Sequence, residues 1–163
     1  MRRLGTTPRQ TAPVTTTPFR VGEANFACAY AVDIAADDDR TSEEWAREAW
    51  EGAPAPMRWF MVLGWRFVLG LRLGPRGSMD HILGWRIVAS RPDATACELR
   101  SRFLQAYNTF VKDSGRLVWS TLVFYERLSA RLIWPPVSLL HRPLVRMALR
   151  RARAAPPHLP DGR

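Results

Sequence analysis

Three histidines, His81, His141 and His158, are the side chains here best suited to proton transfer or metal binding near neutral pH. No ligand spacing relates them. Cys28 and Cys97 stand far apart with no histidine beside them, so no metal site and no cofactor is expected. Asp80 and His81 are adjacent, and adjacent residues on an extended chain point to opposite sides, so the two cannot form a catalytic pair by adjacency. A solvated loop ahead of the Trp85 segment is their expected place. His141-Arg142, after the Pro135-Pro136 break, could hold an anionic head group, although helix capping and packing is the simpler role. A Gly-rich phosphate loop, His-Glu-x-x-His and Gly-x-Ser-x-Gly are all absent from the sequence, which argues against nucleotide-binding, zinc-protease and hydrolase chemistry.

What remains is chemistry of binding. Ser101, Tyr107, Thr109, Thr121 and Tyr125 lie among apolar neighbours, and a few convergent polar groups in an apolar cavity are how a pocket orients a ligand. Seven tryptophans, at 45, 50, 59, 65, 85, 119 and 134, would suit a flat or polycyclic ligand if several surrounded one cavity. Core packing accounts equally for each indole, and Ser and Thr are ordinary strand residues. The expected lining is Trp85, Leu99, Ser101, Tyr107, Trp119, Thr121 and Trp134. Glu98, Arg100 and Arg102 share one strand face and are expected to form a solvated cross-strand ladder.

Such a cavity needs elements to enclose it. Met57 to Leu73 is the most apolar stretch, but Arg58, Arg66 and Arg72 divide it into pieces shorter than the roughly 20 uncharged residues of a membrane span. It reads as one or two helices that a curved sheet could wrap. Before it, Phe26, Cys28, Tyr30, Val32 and Ile34 alternate with small residues, the period of a strand with one face on a core. Thr41-Ser-Glu-Glu44 has capping-box spacing and predicts a short helix to Glu51, stopped by Gly52-Ala-Pro-Ala-Pro56. After Gly74-Pro75 the period returns to two. Strands are predicted around Leu83–Ala89 and Cys97–Phe103, then a hairpin of Leu104–Lys112 and Leu117–Glu126 joined by Asp113-Ser-Gly-Arg116. From Leu128 the pattern is helical, with a break at Pro135-Pro136 and a final helix from Pro143 carrying Leu144, Val145, Met147, Ala148 and Leu149.

The 163 residues suit one domain. Residues 1–22, rich in Thr and Pro, read as a disordered leader, 23–154 as the domain, and 155–163 as a disordered tail. The net charge is +9, but residues 1–20 contribute +4 and residues 135–163 contribute +5, so the body between them is neutral. Basic ends on a neutral body do not make a nucleic-acid groove, and sequence-specific nucleic-acid binding is not expected. Buried free thiols and the lack of a secretory signal point to a cytoplasmic location.

Strand, two helices, a meander of strands and a C-terminal helix is the order of the helix-grip fold. The stretches Trp65-Arg-Phe-Val-Leu-Gly-Leu-Arg-Leu-Gly-Pro75, Gly84-Trp-Arg-Ile87 and Leu132-Ile-Trp-Pro-Pro-Val-Ser-Leu-Leu-His-Arg-Pro143 resemble a branch of the START-like, polyketide-cyclase-like (SRPBCC) superfamily, over roughly residues 24–152. That resemblance implies an α+β helix-grip domain holding a hydrophobic small molecule, a lipid or a polycyclic aromatic, between sheet and last helix. It leaves two alternatives open. One is a cyclase or dehydratase with His81 or His141 as acid or base and Tyr107 as an orienting donor. The other is peripheral contact with anionic membranes through Arg142, Arg146, Arg150, Arg151 and Arg153, against which stands packing of that helix within the domain.

Overall fold

The structure, a computed structural model, describes residues 7–14, 23–35 and 37–156. Most of the expected leader and tail, residues 1–6, 15–22 and 157–163, therefore lies outside the described residues. One seven-stranded antiparallel sheet carries the domain: β1 (Arg9–Gln10), β2 (Phe26–Asp33), β3 (His81–Ile82), β4 (Trp85–Arg91), β5 (Ala94–Arg100), β6 (Leu104–Asp113) and β7 (Arg116–Tyr125), in the order β1-β2-β7-β6-β5-β4-β3. Among the described residues three α-helices accompany it, α1 (Ser42–Trp50), α2 (Ala55–Leu63) and α3 (Ala130–Ala154). The architecture is α+β, a curved antiparallel sheet with a long C-terminal helix across its inner face.

The alternation read from the sequence sets the two faces of this sheet. Phe26, Cys28, Tyr30, Val32 and Ile34 all join the main core, while Ala29 and Ala31 face outward beside Val118. In β6 and β7 the inward set includes Leu104, Ala106, Phe110, Leu117, Trp119 and Val123. The β6–β7 hairpin turns through Ser114 and Gly115, both at positive φ (49° and 79°), the backbone hand that matches the twist of the flanking strands. The last strand, β7, pairs with the early strand β2, from Phe26 with Val123 through to Asp33 with Arg116.

The capping box forms as spaced. Glu44 N–H donates to the Thr41 hydroxyl, Thr41 N–H donates to the Glu44 carboxylate at 2.6 Å, and α1 places fully buried Trp45 and Trp50 on the core.

Three expectations are corrected. First, ordered structure begins before Ala24: Arg9–Gln10 pairs with Ala31 and Tyr30 on the free edge of β2, and Val14 then binds Ser120 and Thr109. A short unpaired segment gains its hydrogen bonds from the sheet, a partner that composition does not reveal. Secondly, Pro135-Pro136 does not break the helix. α3 runs 25 residues through Pro135, Pro136 and Pro143. The carbonyls that lose a donor belong to Arg131, Leu132 and Leu139, all on exposed residues where water is available, while buried Trp134 on one side and Val145, Ala148 and Leu149 on the other hold the axis. Thirdly, Met57–Leu73 is enclosed only in part: Met61, Leu69 and Leu71 join the core, while Trp59, Phe60, Leu63, Phe67 and Val68 are exposed. α2 continues into a π-helical turn over Gly64–Val68, and much of this segment faces outward. Among the described residues no helix is long and apolar enough to cross a membrane.

Candidate functional site

Between the inner face of the sheet, the α2–π-turn segment and α3 lies a cavity of about 470 Å³, within the size range of small-molecule sites. The sheet supplies Trp85, Ala106, Asn108, Trp119 and Thr121; α3 supplies Trp134, Val137, Leu140, His141, Leu144 and Val145; the α2–π-turn segment closes the third side, and Trp50 reaches in from α1. Trp50 sits at the hub of an aromatic cluster, with ring centroids 5.4–5.9 Å from Trp65, Trp85, Phe110 and Trp119, mostly edge-to-face. The indole N–H groups of Trp50, Trp85 and Trp134 are buried and have no hydrogen-bond partner among the described residues. Edge-to-face packing is the geometry in which such a donor can meet a neighbouring π-face.

One polar chain crosses this apolar lining. Trp119 Nε1–H donates to Asn108 Oδ1 at 2.8 Å, and the Thr121 hydroxyl donates to the same oxygen at 2.6 Å. The indole can only donate, which sets the orientation of the Asn108 amide. Having given its proton to Asn108, Thr121 Oγ1 accepts from His141 Nε2–H at 3.0 Å. The imidazole is thereby assigned as the Nε2–H tautomer, with its lone pair on Nδ1. Burial, with a smaller contribution from the Arg142 guanidinium, lowers the His141 pKa from 6.5 to about 4, so the ring is neutral at physiological pH. Its remaining accessible surface is that of a residue lining a cavity. The Asn108 amide nitrogen has no hydrogen-bond partner among the described residues and remains available as a donor.

Burial also keeps both thiols protonated: Cys28, paired across the sheet with Thr121, is pushed up to about 11 and Cys97 to about 12. Both are free, and among the described residues no cluster of three or more His, Cys, Asp or Glu could hold a metal ion.

Of the residues expected from the sequence to line a cavity, Trp85, Trp119, Thr121 and Trp134 do so. Leu99 does not; it is core packing farther along β5. Ser101 is spent on the β5–β6 turn, accepting from the Phe103 and Leu104 amides. Tyr107 lies on the outer face, where its hydroxyl meets Gln105 and Glu98, because it precedes inward-facing Asn108 by one position on a pleated strand. The predicted ladder forms in part on that face: Glu98, buried rather than solvated, pairs with Arg86 and, at 4.0 Å, with Arg100, whereas Arg102 lies in the β5–β6 turn beyond the strand. His81 opens β3 away from the cavity, with its ring against Gly74, where a Cβ would lie 2.2 Å from Cδ2, and Nδ1 3.3 Å from the Ser78 hydroxyl. A shared acid–base centre of His81 and Tyr107 with the cavity is thus not assembled; His141 alone of the three lines it. Asn108 and Trp50 were missed in the sequence. Asn108 was legible only as an odd polar residue on an otherwise apolar strand face.

The C-terminal arginines are largely engaged within the domain. Arg142 lies over Phe26 (5.9 Å), Arg146 over Tyr30 (5.1 Å), and Arg151 pairs with Glu48 at 2.9 Å, while Val145, Ala148, Leu149 and Ala152 pack inward.

Against known families, residues 20–148 match the model of a protein family of unknown function, DUF2867. The chain belongs to the DUF2867 family. The match covers β2 through most of α3, and so every element around the cavity. The comparison with curated proteins finds no match. Among solved structures, protein Ms6760 from Mycobacterium smegmatis is similar at 14% identity, with 87% of this chain and 96% of that chain covered and a TM-score of 0.36.

Proposed function

We propose that this DUF2867 protein is a helix-grip domain of START-like type that binds a hydrophobic small molecule, a lipid or polycyclic aromatic, with one polar end. The carrying observation is the cavity of about 470 Å³, walled by tryptophans and aliphatic side chains and crossed by the single chain Trp119–Asn108–Thr121–His141. Apolar walls supply affinity through burial, while the free Asn108 N–H and the His141 lone pair supply direction. A ligand end that both accepts and donates, such as a hydroxyl or a protonated carboxyl, matches both groups.

The same geometry ranks binding above acid–base catalysis. A base whose conjugate acid has a pKa of about 4 lies far from the value near 7 that makes proton transfer efficient at neutral pH.

Thermal denaturation with a panel of long-chain alcohols, fatty acids and polycyclic phenols tests the reading. A bound ligand at 100 times its Kd stabilises the native state by about 2.7 kcal/mol. Ala106→Phe, which fills the cavity from β6, should abolish the shift while leaving a cooperative transition. A panel without any effect on melting temperature or Trp fluorescence would remove the proposal.

A further inference from the structure

The mouth of the cavity is built from side chains that water should disfavour. Phe60, Leu63, Phe67, Val68 and Leu140 line the cavity and are also 52, 46, 73, 52 and 58% exposed, and Leu139 beside them is 70% exposed. Single exposed apolar residues are ordinary, but a set gathered around one opening marks an interaction surface.

The charge around it is one-sided. From Gly52 to Met79, the stretch containing α2 and the π-turn, there are four arginines and no carboxylate. From Arg127 to Pro160, the stretch containing α3, there are seven arginines and again no carboxylate. Arg66 stands exposed within the π-turn itself, and Arg76 lies over the exposed Trp59 ring at 5.3 Å.

We propose that this rim docks on an anionic lipid bilayer, with Phe67 and Val68 entering the interface and Arg66 and Arg76 meeting the headgroups. An apolar rim with cations and no acids complements a leaflet carrying negative headgroups. The absence of a spanning helix among the described residues makes the contact peripheral. The docking face is the α2–π-turn edge and the first half of α3 rather than the end of that helix, where Arg151 is held by Glu48. The proposal deepens the cavity reading by setting the opening against a source of hydrophobic ligand, yet the two can fail separately.

Co-sedimentation of the full chain with vesicles of phosphatidylcholine alone, or mixed with phosphatidylglycerol, tests it. Binding should favour the mixed vesicles and weaken with salt. Phe67→Glu should lower partitioning about tenfold or more by removing a buried aromatic ring. Arg66→Gln should lower it about fivefold. Arg91→Gln, at the β4–β5 turn, should leave it unchanged. Equal binding by all three variants and the wild type, or no binding to mixed vesicles, overturns the proposal. So does a wild-type dimer in vesicle-free sedimentation equilibrium that Phe67→Glu converts to monomer, because the face would then serve self-association. Ligand-induced melting shifts in vesicle-free solution read the cavity independently of all these outcomes.

Discussion

Acidification should weaken this protein well above the pH at which its carboxylates protonate, and His141 should be the cause. In the unfolded chain the imidazole titrates near its ordinary 6.5; in the native cavity burial holds it at about 4. A lowered histidine pKa has no effect above 6.5, where both states are neutral. As pH falls from 6.5 towards 4 the unfolded state takes up a proton that the native state does not, so stability is lost across that window. At pH 5.0 the loss relative to pH 7.5 is about 2 kcal/mol, worth about 6 °C in melting temperature for a domain of this size. Burial opposes ionisation of Asp38 and Glu98, but bonds to Arg40 and Arg86 hold both below their ordinary values of 3.8 and 4.5, so their contributions are lost as pH falls from those values, under the pH 5.0 of this comparison. The assay is urea denaturation at pH 7.5 and 5.0 for the wild type and His141→Gln, whose amide can still donate to Thr121. The wild type should lose about 2 kcal/mol and the variant little. If both lose the same amount, His141 is not the titrating group and its buried, neutral placement is refuted.

Thr121→Val keeps the shape of β7 but leaves the His141 Nε2–H without its acceptor and should cost about 2 kcal/mol in urea denaturation. Trp50→Ala empties the hub of the aromatic cluster and should cost about 4 kcal/mol by the same measurement. Gly84→Ala should cost about 2 kcal/mol, because φ is +89° there and the added Cβ would lie 3.0 Å from Leu73 Cβ. Phe67→Glu, at a 73% exposed position, should change stability by less than about 0.5 kcal/mol, as calorimetry would show.

Much of the frame was legible in the chain. Alternation of period two in Phe26–Ile34 and through the Asp113-Ser-Gly-Arg116 hairpin located strands and assigned their inner faces, because side-chain direction on a pleat follows from position alone. Thr41 to Glu44 located the start of α1 because a capping box is closed within four residues. Such signals are local, and local sequence determines them. Where the sequence reading departed from the structure, the deciding interaction was distant. Proline chemistry alone predicts a break at Pro135-Pro136, but burial of Trp134 and Leu149 in the core holds the helix together. Tyr107 was expected in the pocket and Asn108 was not, but register with β5 and β7 turns Tyr107 outward and Asn108 inward. His81 and His141 are both lone histidines in the sequence; only the path of α3 across the sheet brings one of them within 3.0 Å of Thr121. Residue types and spacing determined the strands, the first helix and the polar groups available. Which of those groups share a dry cavity depends on long-range packing, since burial, and the pKa shift it causes, belong to the neighbours that folding brings together rather than to the residue itself.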